Sequence, residues 1–174
     1  MSEITLGILG GGQLGSMLSI AAKKLNIKTI IFCDDIEAPA QNFCNKFIFG
    51  NYNNKEKIIE FVNETDLVTY EFENIPYETL NEINKLKPVL PKPSVNRLIQ
   101  HRLAEKDFIN KLNIRTTRYV SVEKKSDIEI LEDFLPGILK TTTLGYDGKG
   151  QFPINSIEEL NSLNIDFSKG YILE

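Results

Sequence analysis

With 174 residues, 41% of them hydrophobic, the chain can bury a sizeable core, as one large domain or as one complete domain followed by part of another. A net charge of −4 and the lack of any Lys/Arg-rich run argue against a nucleic-acid surface or a polybasic membrane anchor. Met1-Ser2-Glu3 leads straight into an apolar strand without a signal-peptide pattern, and no segment approaches the roughly 20 apolar residues of a membrane span.

Cys33 and Cys44 are too few for a disulfide framework or a four-cysteine zinc site, and both are expected to be reduced packing residues of a cytoplasmic protein. In chain order, residues 4–9 form an apolar run of strand length, stopped by three glycines. Leu14, Leu18, Ala21, Ala22 and Leu25 recur at helical spacing and predict a helix over 13–25. Residues 28–33 are rich in β-branched and aromatic side chains and read as a strand, with Asp34 and Asp35 at its end. A third strand at 47–49, a helix at 55–63, a fourth strand at 67–72, a helix at 77–86 and a fifth strand at 88–90 follow. Strands alternating with helices imply a parallel sheet covered on both faces.

The punctuation changes at Pro91-Lys92-Pro93-Ser94. Ser94 reads as the cap of a helix through Gln100, and a second helix runs over 102–112. Strands at 116–122 and 137–142 then flank a helix near 127–134. A boundary falls within 91–100, dividing the chain into domains 1–95 and 96–174.

Gly10-Gly11-Gly12-Gln13-Leu14-Gly15 has G-x-G-x-x-G spacing between a strand and a helix. Glycine allows positive φ and lets a phosphate or another backbone approach the helix amino terminus. Asp34 and Asp35 lie about 20 residues on, where a dinucleotide fold holds a ribose hydroxyl. The motif alone leaves dinucleotide binding, other phosphate binding and plain turn chemistry open.

The second glycine motif is richer. A strand bearing Lys140 leads into Gly145-Tyr146-Asp147-Gly148-Lys149-Gly150-Gln151. It is not a Walker A loop, because Gln151 and Phe152 stand where that loop needs lysine and Ser/Thr. Its backbone N–H groups and Lys149 are suited to covering a reacting phosphate, with Lys140 supplying charge from the strand. The plainer reading is a hairpin turned by Asp147-Gly148.

Gly12-Gln13-Leu14-Gly15, Thr69-Tyr70-Glu71-Phe72-Glu73-Asn74 and the 145–151 loop occur in one order across essentially the whole chain. Together they resemble the 5-(carboxyamino)imidazole ribonucleotide synthetases of the ATP-grasp superfamily. The resemblance implies an α/β fold: a Rossmann-like pre-ATP-grasp domain with a parallel sheet, followed by the first part of an α+β ATP-grasp domain. It implies ATP-dependent carboxylation of 5-aminoimidazole ribonucleotide by bicarbonate through carboxyphosphate, a step of purine biosynthesis, with magnesium accompanying the nucleotide.

Carried onto this sequence, the resemblance puts Arg102 and Lys140 on the ATP phosphates. Gly145, Tyr146, Asp147, Gly148, Lys149, Gly150 and Gln151 form the mobile loop over them, and Glu174 reaches adenine and ribose. Gly12, Gln13, Leu14 and Glu73 lie near the imidazole ribonucleotide, joined by Tyr146 and Asp147 on loop closure. Glu73 and Lys149 are the expected catalytic pair; in the plainer readings Glu73 is a solvated strand-end residue and Arg102 faces water. His101 is given no role. The family's frequent dimerisation implies a homodimer.

The family continues beyond this length through the carboxylates and asparagine that hold magnesium, so metal ligands are expected beyond residue 174 and none within the chain. The chain alone is expected to lack the rear wall of the nucleotide site and to show no ATPase activity. Two other classes compete. A nicotinamide-dependent oxidoreductase accounts for the first glycine motif but leaves Lys140 and the second loop idle. A non-catalytic dimerisation or interaction fragment needs no nucleotide.

Overall fold

The glycine-stopped run at the amino terminus becomes an inner strand of a parallel sheet in the computed structural model, which describes residues 4–124, 127, 132–145 and 150–174. The chain divides into two units, Met1–Arg97 and Leu98–Glu174.

In the first unit, β1 (Thr5–Leu9), β2 (Lys28–Cys33), β3 (Lys46–Phe49) and β4 (Leu67–Tyr70) form a sheet of order β3-β2-β1-β4, parallel throughout. Between them run α1 (Gln13–Lys24) and α2 (Lys55–Asn63), and α3 (Tyr77–Leu86) follows β4. Every residue of β2 after Lys28 is buried, as an inner parallel strand covered on both faces requires. Phe32 packs edge-on to Tyr52 and tilted against Phe61, with ring centroids 5.5 and 5.7 Å apart. Each fully buried phenylalanine contributes about 1.5–3 kcal/mol. Asn54 caps α2 by accepting from Lys57 N.

Of the apolar spacing that predicts α1, only Ala22 lies on its packed face. Leu14, Met17, Leu18, Ile20 and Leu25 are exposed, whereas Gly15, Ser16, Ser19 and Ala22 are buried. Small residues let this helix lie close to its neighbours: a Cβ on Gly15 would sit 3.4 Å from Ala40 Cβ and 3.1 Å from the Gly10 carbonyl. The strand expected at 88–90 is reduced to a single bridge, Val89 to Val68. Pro88 and Pro91 flank it and cannot donate to a ladder. The next helix, α4 (Pro93–Ile99), starts at Pro93 rather than being capped by Ser94; proline's fixed φ suits a first helical position.

The second unit holds α5 (Arg102–Lys111), β5 (Val120–Val122), β6 (Gly137–Thr141), β7 (Gln151–Ile154), α6 (Ile157–Ser162) and β8 (Tyr171–Leu173). Its sheet is antiparallel, of order β5-β8-β6-β7, over a core of Val122, Leu139, Ile154, Leu160, Tyr171 and Leu173. The strand expected at 116–122 shrinks to Val120–Val122, paired with β8 from Val120 opposite Leu173 to Val122 opposite Tyr171. Upstream, Thr116 and Tyr119 bond instead to Asn110 and Asp107. Of the helix expected near 127–134, the described residues show one short turn, Glu132–Phe134; residues 128–131 lie outside them. Among the described residues no helix is long and apolar enough to cross a membrane.

Candidate active site

The first unit gathers its candidate residues where β1 and β4 end. The sheet order reverses between these strands, and open α/β sheets bind ligands in the crevice at such a point. Gly10 adopts φ +100°, a conformation that favours glycine. A Cβ there would also lie 2.6 Å from Glu71 Oε1. Glu71 is tied by its own N–H to the Leu9 carbonyl at 3.0 Å. Its carboxylate accepts from Gly12 N at 2.8 Å. Since α1 has neither a capping side chain nor an acid in its first turn, Glu71 supplies the negative charge that a helix amino terminus favours.

Gln13 and Leu14 stand exposed in that first turn. Glu73, also exposed, follows β4 by the same route, and its carbonyl accepts from the fully buried Asn96 at 3.2 Å. The sheet therefore brings Gly12, Gln13, Leu14 and the Glu71–Glu73 segment to one end. Asp34 and Asp35 are exposed after β2, and Asp35 Oδ1 accepts from Glu37 N in a local turn. Both cysteines are free. Cys33 is buried; Cys44 is only partly so, and burial pushes its thiol up against the opposing pull of backbone hydrogen bonds.

In the second unit β6 carries Lys140, and α5 carries Arg102 and Lys106 one turn apart. Lys140 Nζ and Lys106 Nζ meet the same oxygen, Glu174 Oε2, at 3.1 and 3.3 Å. The three side chains are 17, 15 and 12% exposed. Burial pushes the Glu174 carboxyl up, but the two lysine hydrogen bonds and their charges outweigh it and leave the group below its ordinary value. Arg102 donates from Nη2 to the Gly145 carbonyl at 2.7 Å and from its backbone N–H to Thr142 O at 2.9 Å. It thereby braces the first strand-side end of the glycine loop.

That loop joins β6 to β7 as a hairpin. Thr141 N donates to Gly150 O, and Gly150 takes φ +67°. Gln151 belongs to β7, in register with Lys140, so the mobile loop expected over 145–151 ends earlier than the sequence reading had it. Tyr146, Asp147, Gly148 and Lys149 lie outside the described residues. Leu144, just before Gly145, holds φ +57°, which is uncommon for a bulky residue.

Two residues of this unit escape the motif reading. His101 caps α5, its Nδ1 accepting from Ala104 N at 3.4 Å. Lys106 could have been found from its i, i+4 spacing to Arg102, which puts both cations on one helix face. Two lysines and an arginine that presents five donors suit a polyphosphate, by charge and by geometry. They do not suit a divalent cation: Glu174 is held by two ammonium groups, and among the described residues no cluster of three or more His, Cys, Asp or Glu gathers.

Comparison with known proteins agrees with both halves of this picture. Residues 3–100 match the family described as the ribonucleotide synthetase preATP-grasp domain, and residues 107–174 match the ATP-grasp domain. The chain is 42% identical to a bifunctional purine synthesis protein of Dictyostelium discoideum, over 90% of this chain and 16% of that protein. It is 36% identical to an N5-carboxyaminoimidazole ribonucleotide synthase of Brucella melitensis, over 92% of this chain and 45% of the relative. A crystal structure of an N5-carboxyaminoimidazole ribonucleotide synthetase in complex with ADP superposes with a TM-score of 0.90 at 32% identity, covering 100% of this chain and 48% of that one. The chain thus spans less than half the length of these relatives. Because the first match takes in more than half of its residues, the chain belongs to the ribonucleotide synthetase family marked by the preATP-grasp domain, continued here into an ATP-grasp segment.

Proposed function

We propose that the protein carrying this chain is a carbon–nitrogen ligase that makes N5-carboxyaminoimidazole ribonucleotide from 5-aminoimidazole ribonucleotide, bicarbonate and ATP in purine biosynthesis. The observation that carries this reading is the cationic cluster of Lys140, Lys106 and Arg102 at the base of the glycine hairpin. Phosphoryl transfer needs positioning and positive charge more than covalent catalysis, and these residues provide both. The γ-phosphoryl passes to bicarbonate, releasing ADP. The exocyclic amine of the ribonucleotide then attacks the carboxyl carbon, phosphate leaves, and the amine gives up a proton.

In this scheme Lys140 and Arg102 hold the ATP phosphates, and Gly145, Tyr146, Asp147, Gly148, Lys149 and Gly150 cover them, with Lys149 facing the transferred group. Glu174 turns from its lysines towards adenine and ribose. Gly12, Gln13 and Leu14 contact the imidazole ribonucleotide, and Glu73 orients its amine or accepts its proton. The division of labour follows residues 1–95 and 96–174. Magnesium accompanies the nucleotide. The protein works in the cytoplasm and forms a homodimer; the exposed apolar residues Met17 and Ile20 on α1, with Leu25 just after it, support the dimer. A nicotinamide-dependent oxidoreductase is disfavoured by the carboxylate seated on Gly12 N.

The test is a binding titration on the protein carrying this chain, with ATP and NAD(H) in parallel. Loss of a charge-assisted hydrogen bond costs about 1.5–3 kcal/mol, so Lys140→Ala is expected to weaken ATP roughly 10- to 150-fold. Unchanged ATP affinity in that variant, or NAD(H) binding tighter than ATP, would overturn the assignment.

A further inference from the structure

The first glycine motif has the strand, the turn, the helix and the spacing of a dinucleotide site. In such sites the pyrophosphate rests on the helix amino terminus, where the motif glycines leave room for it. Here that room is taken. Glu71 Oε1 accepts from Gly12 N at 2.8 Å. The same side chain approaches all three motif glycines: a Cβ would meet Glu71 Oε1 at 2.6 Å from Gly10 and 3.2 Å from Gly12, and Glu71 Cγ at 3.5 Å from Gly15.

We propose that Glu71 is the specificity-determining residue of this turn, an internal anion that fills the pyrophosphate seat, bars dinucleotides from it and holds the turn that presents Gln13 and Leu14.

Three further features carry the proposal. The backbone of Glu71 is fixed beside the turn, its N–H bonded to Leu9 O at 3.0 Å, which keeps the carboxylate within reach of Gly12 N. The helix brings no other acid: its first turn has none, and its cap residue is Gly12. An anionic phosphate would have to displace a like charge from a site that favours one negative group. At Gly10 and Gly12 the missing Cβ thus leaves space for Glu71 rather than for a ligand. The inference rests on the first unit alone and holds whether or not the carboxylation reading does.

The test follows the Gly12 and Gln13 amide resonances of the 15N-labelled chain during titration with inorganic pyrophosphate and, separately, NAD. In the wild type neither amide should respond. Glu71→Ala empties the seat, so both amides should shift saturably with pyrophosphate, at an affinity about tenfold or more above any wild-type response. Glu71→Gln keeps the volume and the acceptor but removes the charge, and should give an intermediate gain. A purely structural glutamate would lower the melting temperature without creating an anion site. A folded Glu71→Ala that responds no more than wild type, or a wild type that itself binds pyrophosphate at Gly12, overturns the proposal. If Glu71→Ala does not fold, Glu71→Gln decides: no gain at the Gly12 amide rejects it.

Discussion

Replacing Glu174 by glutamine should destabilise the second unit at neutral pH and have almost no effect in acid. One carboxylate oxygen holds Lys140 and Lys106 at 3.1 and 3.3 Å, so neutralising it leaves two ammonium groups no more than about 6 Å apart. At an effective dielectric of about 20 their repulsion approaches ~3 kcal/mol. Breaking a fully buried pair costs about 3–5 kcal/mol, and exposed pairs are worth about 0–1. With side chains 12–17% exposed and lysine stems free to swing towards water, the cost should fall near 2 kcal/mol. Because the folded carboxyl titrates below its ordinary value, its contribution is complete above the unfolded value near 4.3 and fades as pH falls through the lower folded one. The assay is a urea titration read at the Leu139 and Leu173 amides. With a slope of about 1 kcal/mol/M, the midpoint should drop by about 2 M at pH 7 and converge with wild type once the pH has fallen below the lowered titration of the folded carboxyl. Adding Lys106→Met to Glu174→Gln should restore part of the loss by removing one repelling charge. A midpoint difference that is absent at pH 7, or that persists unchanged in acid, would refute the charge argument.

Leu139→Ala removes a fully buried side chain at the centre of β6 and should cost about 2–5 kcal/mol, enough to lower the same urea midpoint more than Glu174→Gln does. An unchanged midpoint would mean that the antiparallel sheet does not depend on that core. Gly10→Ala meets both a left-handed backbone at φ +100° and the Glu71 carboxylate, so it should cost about 1–3 kcal/mol in thermal melting and shift the Gly12 amide as its hydrogen bond breaks.

Much of the first unit was legible because each parallel strand is a short apolar run between turn signals. The helix over 77–86 and the strand over 28–33 were predicted with the bounds that α3 and β2 possess. The orientation of α1 was not legible. Its leucines mark a helical period, yet its packed stripe is Gly15, Ser19 and Ala22, and only the neighbouring Ala38–Ala40 segment explains why small residues were needed. The antiparallel half was harder because its strands pair with partners far along the chain: β5 pairs with β8, across the whole of β6, β7 and α6. One local signal was available and unused, since Ser156 accepts from Glu159 N and Glu159 accepts from Asn155 N in the manner of a capping box that opens α6.

The candidate site divides along the same line between local pattern and tertiary pairing. Lys140 is conspicuous in sequence because it stands on a strand before a glycine-rich loop, whereas Arg102 is singled out only by the family resemblance. Their actual engagements, Lys140 with Glu174 and Arg102 with Gly145, join segments brought together by the β6–β8 ladder and by the bond from Arg102 N to Thr142 O. Glu71 and Glu73 sit two residues apart in one motif and look interchangeable; the family resemblance singles out Glu73. The sheet order distinguishes them. Glu71 leaves β4 while still bonded to the end of β1, which aims its carboxylate into the glycine turn; Glu73 emerges a step later, exposed. Two carboxylates that look equal in the sequence thus stand in unequal places, one accepting from Gly12 N at the helix amino terminus and the other exposed.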